Sequence, residues 1–444
     1  MINIGKPIVT KNDGLARVSC SIEIPNQAAQ KWIDYSKSIS SSWRVHEDYP
    51  PAIWQEDFKL YFEIEEKYMD GLCDDRADGF VVALLYYAMI TGSDIISEAP
   101  VSSALLHNLN TSLIPKLCRP SEGFKPIEIK AEAVLQPYPS KGYIGTGMSC
   151  GVDSIHSLYY YTQEDIQEEY KLTHLTYLNM GSIFHPGSIN RGGSIEKFNE
   201  TVDSLYLEKL RSAKAVADSA GLPLVYIQSN LDRDIYRGGY GFTALYRNAA
   251  LILATQGLWK TYYNSSSGFP HEYFSPSLRT GSAIYEAILI PALCNDTVKF
   301  LIGSAQFTRL EKTEQIADFK IAQDHLDVCF RFNNCGNCSK CYRTLLTLDL
   351  LGKLDQYKNV FDVNSFNRNK DKAYGYMLYS SSGPGIDYFA EEIIKKAKAQ
   401  GRISLKAKLY AVKLRFNRFV FKIIKKFPFI LNSKFVQKRR RRFL

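Results

Sequence analysis

Residues 141–154 read KGYIGTGMSCGVDS. The first half, KGYIGTG, has the make-up of a short strand, and MSCG is a run of small residues at which the chain can turn. A helix is expected from about Asp153. A strand that stops at small residues and enters a helix presents free backbone N–H groups at the helix N-terminus. Together with the helix dipole these groups bind phosphate well. Ser149 and Ser154 add hydroxyl donors, whereas Asp153 is awkward beside bare phosphates and suits Mg2+ or a cap of the turn. The chain lacks GKS and GKT, so the loop is not of the Walker type. An ordinary strand–turn–helix with a Ser or Asp cap is the alternative this octapeptide leaves open.

Downstream the same rhythm repeats. Strands are expected at 172–179, 223–228, 259–264 and 299–302, and helices at 195–220, 243–255, 282–293 and 312–323. A Gly-rich loop occupies 181–193, and Gly221 is a good C-cap for the first of these helices. Alternation of this kind predicts an α/β fold, a doubly wound, mostly parallel sheet with helices on both faces. Upstream, residues 1–137 offer two strands (16–24 and 126–135) and apolar stretches of helical length at 78–91 and 102–117. They carry no catalytic constellation and are expected to form an N-terminal α+β accessory domain. Residues 138–354 are the expected α/β domain, 355–392 a connecting segment with a linker-like SSSGP at 380–384, and 393–444 a basic tail.

Cys329, Cys335, Cys338 and Cys341 sit inside VCFRFNNCGNCSKCYR. Four thiols this close, with Gly and Asn between them, suit one tetrahedral zinc ion, and a full set of four thiolates leaves no open position for catalysis. Disulfides between such near neighbours would close small strained loops. The other five cysteines are dispersed, which suits a reducing compartment. MINIGKPIVTKNDG lacks a charged region followed by an apolar run, and no stretch of about eighteen apolar residues occurs, so the expected location is the cytoplasm.

The net charge of +9 belongs to no single part of the chain. Residues 393–444 hold eighteen Lys and Arg and no acid, which leaves the first 392 residues at −9. Within this tail, Leu405, Leu409, Val412, Phe416 and Phe419 recur at helical spacing between Lys and Arg. A basic amphipathic helix fits an anionic membrane surface, where each cation contributes on the order of 1 kcal/mol. It also fits nucleic acid, or a docking face on this chain or on a partner protein. The six Phe between positions 416 and 435 favour membrane or protein docking over nucleic acid. A peripheral position at a membrane follows from that reading, and a homodimer is compatible with it.

Four segments in one order carry a resemblance: SCGVDS at 149–154, Tyr246-Arg247-Asn248 at the front of an apolar helix, Leu310-Glu311-Lys312-Thr313-Glu314, and C-G-x-C-x-x-C followed by Arg343. The first resembles the S-G-G-x-D-S loop of the PP-loop ATP pyrophosphatases, an adenine nucleotide alpha hydrolase-like fold. The other three narrow the resemblance to the 7-cyano-7-deazaguanine synthase family, over roughly half the chain. The resemblance implies ATP as cosubstrate, with Ser149, Cys150, Gly151, Val152, Asp153, Ser154 and Asn248 binding the nucleotide. It implies Asp153, Arg247 and Lys312 as catalytic groups with Mg2+, and zinc on the four cysteines. Cys150 stands where the family has glycine, which is expected to put a side chain near the phosphates. Residues 267–273 read SGFPHEY where the family has S-G-Y-P-D-C-R, so His271 and Glu272 are expected at a changed substrate.

The expected reaction is adenylation of a small-molecule or protein-borne carboxylate, or a similar oxygen, followed by attack of ammonia or an amine. AMP and pyrophosphate leave. The alternatives are a sulfurtransferase acting on RNA or a metabolite, with Cys150 as the better reactive thiol, and a non-catalytic nucleotide-binding module in a surface-polymer or defence system.

Overall fold

The computed structural model describes residues 1–39, 55, 57–119, 123–182, 195–268, 281–329, 333–382 and 387–425. The strands are β1 (Ile2–Ile4), β2 (Ile8–Asn12), β3 (Leu15–Glu23), β4 (Lys59–Glu65), β5 (Ile95–Ser97), β6 (Val101–Ser102), β7 (Ile129–Lys130), β8 (Ala133–Val134), β9 (Tyr143–Gly147), β10 (His174–Asn179), β11 (Leu224–Ser229), β12 (Trp259–Ser265) and β13 (Lys299–Gly303). The helices are α1 (Asn26–Ile39), α2 (Asp78–Thr91), α3 (Ser103–Asn108), α4 (Ile114–Cys118), α5 (Val152–Tyr161), α6 (Ile195–Ala220), α7 (Tyr240–Ala254), α8 (Glu286–Ala292), α9 (Arg309–Gln315), α10 (Lys320–His325), α11 (Ser339–Leu350), α12 (Val363–Ser380), α13 (Tyr388–Ala399) and α14 (Leu405–Lys425).

The protein is α/β. Five parallel strands lie side by side in the order β13-β12-β9-β10-β11, compatible with a Rossmann-like arrangement. The chain runs outward from β9 through α5, β10 and α6 to β11, then returns through α7 to β12, on the other side of β9, and on through α8 to β13. Adjacent strands β9 and β12 therefore send their connections in opposite directions, and the crevice at their C-terminal ends is the switch point where open α/β sheets bind ligands. β10 and β12 are almost entirely buried along their length, as strands covered on both faces must be. The expected strands at 141–147, 172–179, 223–228, 259–264 and 299–302 are those observed within two residues.

The sheet does not stop at β11. β4 pairs with β11 antiparallel, β3 with β4, β1 with β3, then β5 and β7 follow in parallel, and β2 pairs with β3. The boundary expected at 137/138 thus falls inside one continuous eleven-stranded mixed sheet, and Met1–Arg331 is one compact unit. Its core explains why. Every residue of α2, DGFVVALLYYAMIT, is buried, so this helix has no solvent face. Gly79 lets α2 lie against α7, because a Cβ there would come within 2.7 Å of the Ala250 carbonyl oxygen and the Ala254 nitrogen. Trp32 of α1 stacks on Tyr87 at 4.7 Å and meets Tyr236 edge-on at 5.6 Å. The first 137 residues share one apolar core with later ones.

Two expected elements are broken. The strand at 126–135 is the two short pieces β7 and β8, and the helix at 312–323 is split into α9 and α10.

The second compact unit, Phe332–Leu444, comprises α11 to α14. The segment expected as a connector holds helix α12 and the start of α13. Gly375 of α12 sits against α14, where a Cβ would lie 2.7 Å from the Ala407 carbonyl oxygen and 2.8 Å from the Tyr410 Cβ. Buried Asp349 of α11 accepts from Lys370 Nζ at 2.5 Å and Tyr374 Oη at 2.9 Å, both on α12.

Candidate functional site

β9 ends at Gly147, and the Met148 N–H donates to the Thr176 carbonyl at 2.7 Å, which holds the loop to β10. The turn is made at Cys150, whose φ is +60°, and Gly151 then leads in extended conformation into α5. A left-handed residue other than glycine costs about 1 kcal/mol or more, so this position accommodates cysteine where glycine would be at ease. The Cys150 side chain is 1% exposed, and its carbonyl accepts from the Asp327 N–H at 2.8 Å. The cysteine expected beside the phosphates has its side chain buried at this turn. Burial, reinforced by Asp327 and opposed by Lys209, pushes the thiol up to about 12, away from the thiolate a sulfur carrier needs. Val152 is likewise buried, so its share in the loop is its backbone. Ser149 Oγ and Ser154 Oγ lie 3.2 Å apart, and Ser154 donates to the Gly151 carbonyl at 3.1 Å. The first-turn N–H groups of α5 have no intrahelical acceptor.

Asp153 stands in the first turn of α5. Its Oδ2 accepts from Arg309 Nη1 at 2.6 Å, and its Oδ1 is buried with no hydrogen-bond partner among the described residues. Arg309 opens α9, which starts from a capping box in which Thr308 and Glu311 satisfy each other's backbone N–H. That start places Arg309 and Lys312, three residues apart, on one helix face. Lys312 is fully buried and donates from Nζ to the Ser266 carbonyl at 2.7 Å. Burial draws the Lys312 ammonium below its ordinary range, against the pull of Asp153 and Glu286. Glu286, at the start of α8, is also buried. It accepts a short hydrogen bond from Ser266 Oγ, and its Oε2 has no partner among the described residues. Burial raises the Glu286 carboxyl, opposed by the Ser266 hydrogen bond and Lys312. Ser265, which ends β12, donates to Ser157 Oγ of α5 at 2.8 Å, and Ser304, just past β13, turns at φ +56° with its hydroxyl buried and without a partner among the described residues. All of this lies at the C-terminal ends of β9, β12 and β13, at the switch point.

The structure thus brings Asp153 and Lys312 together. It adds Arg309, Glu286 and Ser266, which the linear motif did not mark. Arg309 stood one residue before the quoted LEKTE, and Glu286 is set by packing across α8 with no local signal. His156, on α5, shares a hydrogen bond between Nε2 and Gln315 Oε1 at 2.9 Å, while its Nδ1 has no partner among the described residues. It packs against the rings of Tyr160 and Phe307, and burial lowers it to about 4.

Arg247 does not join this group through any hydrogen bond among the described residues. It is fully buried on α7 and donates to the Met180 carbonyl at 2.7 Å, to Asp232 Oδ1 at 2.6 Å and to the Gly238 carbonyl at 2.5 Å, with its guanidinium over the Tyr236 ring. Gly181, at φ +95°, leaves room for it, since a Cβ there would come 2.5 Å from Nη1. Arg247, expected as a catalytic group, ties the chain after β10 to the chain after β11. Asn248 has a buried Oδ1 without a partner among the described residues. His271 and Glu272 lie outside the described residues.

The ligand atoms of Cys329, Cys335, Cys338 and Cys341 all lie within 4.8 Å of one another, and none is in a disulfide. Four thiolates on one tetrahedral zinc at about 2.3 Å would be about 3.8 Å apart, so the cluster is compatible with zinc. Cys338 and Cys341 are already 3.5 Å apart, and the Cys341 N–H donates to the Cys338 sulfur at the start of α11. Asn333, Asn334 and Gly336 all have positive φ, which gives the tight turns such a site needs.

No protein-family model, no curated protein and no solved structure matches this chain.

Proposed function

We propose that the crevice at the ends of β9 and β12 binds ATP and transfers its AMP to an oxygen of the substrate, in a doubly wound core of the adenine nucleotide alpha hydrolase kind. The observation that carries this reading is the convergence of an uncapped helix N-terminus, two serine hydroxyls and two cations, Arg309 and Lys312, at one switch point. Anion binding needs donors and positive charge, and adenylation needs both aimed at the departing pyrophosphate. The first turn of α5 with Ser149 and Ser154 grips phosphate, while Lys312 and Arg309 offset the charge that develops on it. Asp153, with one oxygen unpartnered among the described residues, fits Mg2+, and the four cysteines fit a structural zinc. Those ions supply charge neutralisation and a local staple. Glu286, buried and partly unsatisfied beside Lys312, is placed to orient the acceptor or a nitrogen donor. Ammonia or an amine then displaces AMP from the activated carboxylate.

The high, buried thiol of Cys150 weighs against the sulfurtransferase alternative. The nucleotide-binding module remains the competitor. Incubation of the wild-type chain with ATP, Mg2+ and candidate carboxylates, followed by assay of AMP and pyrophosphate, separates the two. Formation of both, lost in Arg309→Ala, supports the enzyme. Saturable ATP binding without either product supports the module, and no ATP binding overturns both.

A further inference from the structure

We infer that α14 is a docking surface for an anionic lipid bilayer, on which the helix lies flat. Its attachment to α12 uses Ala407 and Ala411, which are buried, and Tyr410, with Gly375 allowing the close approach. Six large apolar residues are turned away from that contact. Leu405, Leu409, Val412, Phe416, Phe419 and Ile423 are all exposed, Phe416 by 63%. Their spacing alternates between four and three residues, and at about 100° per residue they form one straight stripe. A stripe of Leu and Phe facing water over five turns is unusual unless something covers it.

Charge identifies the occupant. At the same angular step, Lys406 and Lys413 edge one side of the stripe, and Lys408 and Arg415 edge the other. These four are exposed, and residues 393–444 contain no acid at all. A second copy of the helix would bring lysines against lysines along both edges, because a paired coil needs opposite charges there. A flat anionic surface instead meets cations on both edges at once and receives the apolar stripe between them. No helix among the described residues is long and apolar enough to cross a membrane, so the geometry is that of a helix lying on the surface.

The test uses the full chain with two kinds of vesicle, phosphatidylcholine alone and phosphatidylcholine mixed with phosphatidylglycerol, in a sedimentation assay. Binding to the mixed vesicles is expected to exceed binding to the neutral ones by about tenfold or more and to fall as salt is raised. The double variant Leu409→Glu with Phe416→Glu is expected to lose that binding while keeping the wild-type circular dichroism and melting temperature, since both side chains are exposed. Equal binding to both vesicles, no binding to either, or undiminished binding by the double variant overturns the inference. So does a dimer that the variant dissociates in a chain that ignores vesicles.

Discussion

The carboxylate of Asp153, at the start of α5, is held at 2.6 Å by the guanidinium of Arg309, at the start of α9. The two residues come from helices that follow different strands, and their pairing joins the chain after β9 to the chain after β13. Both groups are mostly buried, so the pair is screened less than a surface bridge.

If this pair positions charge for adenylation, Asp153→Asn and Arg309→Met each lower AMP and pyrophosphate formation by about 10²-fold or more. The double variant is expected to lose less than the product of the two, because each single variant leaves an uncompensated charge behind. A double-mutant cycle on steady-state rates measures this. Additive losses would mean the two residues act separately.

The cysteine cluster predicts about one zinc per chain, removable by a strong chelator with a fall in melting temperature. Cys338→Ser is expected to abolish most zinc in metal analysis of the purified chain and to lower the melting temperature. Cys294→Ser, away from the cluster, is expected to leave the zinc content unchanged.

His156 gives a pH signature. Its folded value of about 4 lies below its ordinary 6.5, so between those values the unfolded chain binds the proton and the folded chain does not. Its contribution is intact above about pH 6.5 and is lost as pH falls towards 4, by on the order of 3 kcal/mol over that window. In His156→Gln this part of the acid limb is expected to flatten in urea melts taken between pH 4 and 7.

Cys150 tests the turn. Cys150→Gly relieves about 1 kcal/mol of left-handed strain but loses a buried sulfur and adds chain entropy of similar size, so a net change within about 1 kcal/mol is expected. Cys150→Val, β-branched at φ +60°, is expected to cost more than about 2 kcal/mol. Iodoacetamide at pH 8 should modify Cys150 in the unfolded chain and spare it in the folded one, as mass spectrometry of the digest would show.

Much of the α/β core was legible locally. Strand and helix periods follow from side-chain patterning, so 141–154, 172–179 and 299–302 declared themselves, as did the four cysteines and the apolar stripe of the tail. Glycine at helix ends and small residues at the loop are equally local signals. What neighbouring residues do not encode is which surfaces are buried together. The continuation of the sheet through β4 and β11 depends on backbone hydrogen bonds between segments far apart in the chain, and α2 conceals its role because it is apolar all round. For the same reason Arg247 looked like a ligand-facing cation until Asp232 and two carbonyls were found to occupy it, and Glu286 gave no sign until Ser266 and Lys312 enclosed it. Composition and spacing determined the kinds of chemistry available. Tertiary packing, through burial and partner choice, decided which charged groups share the crevice and which are spent holding it together.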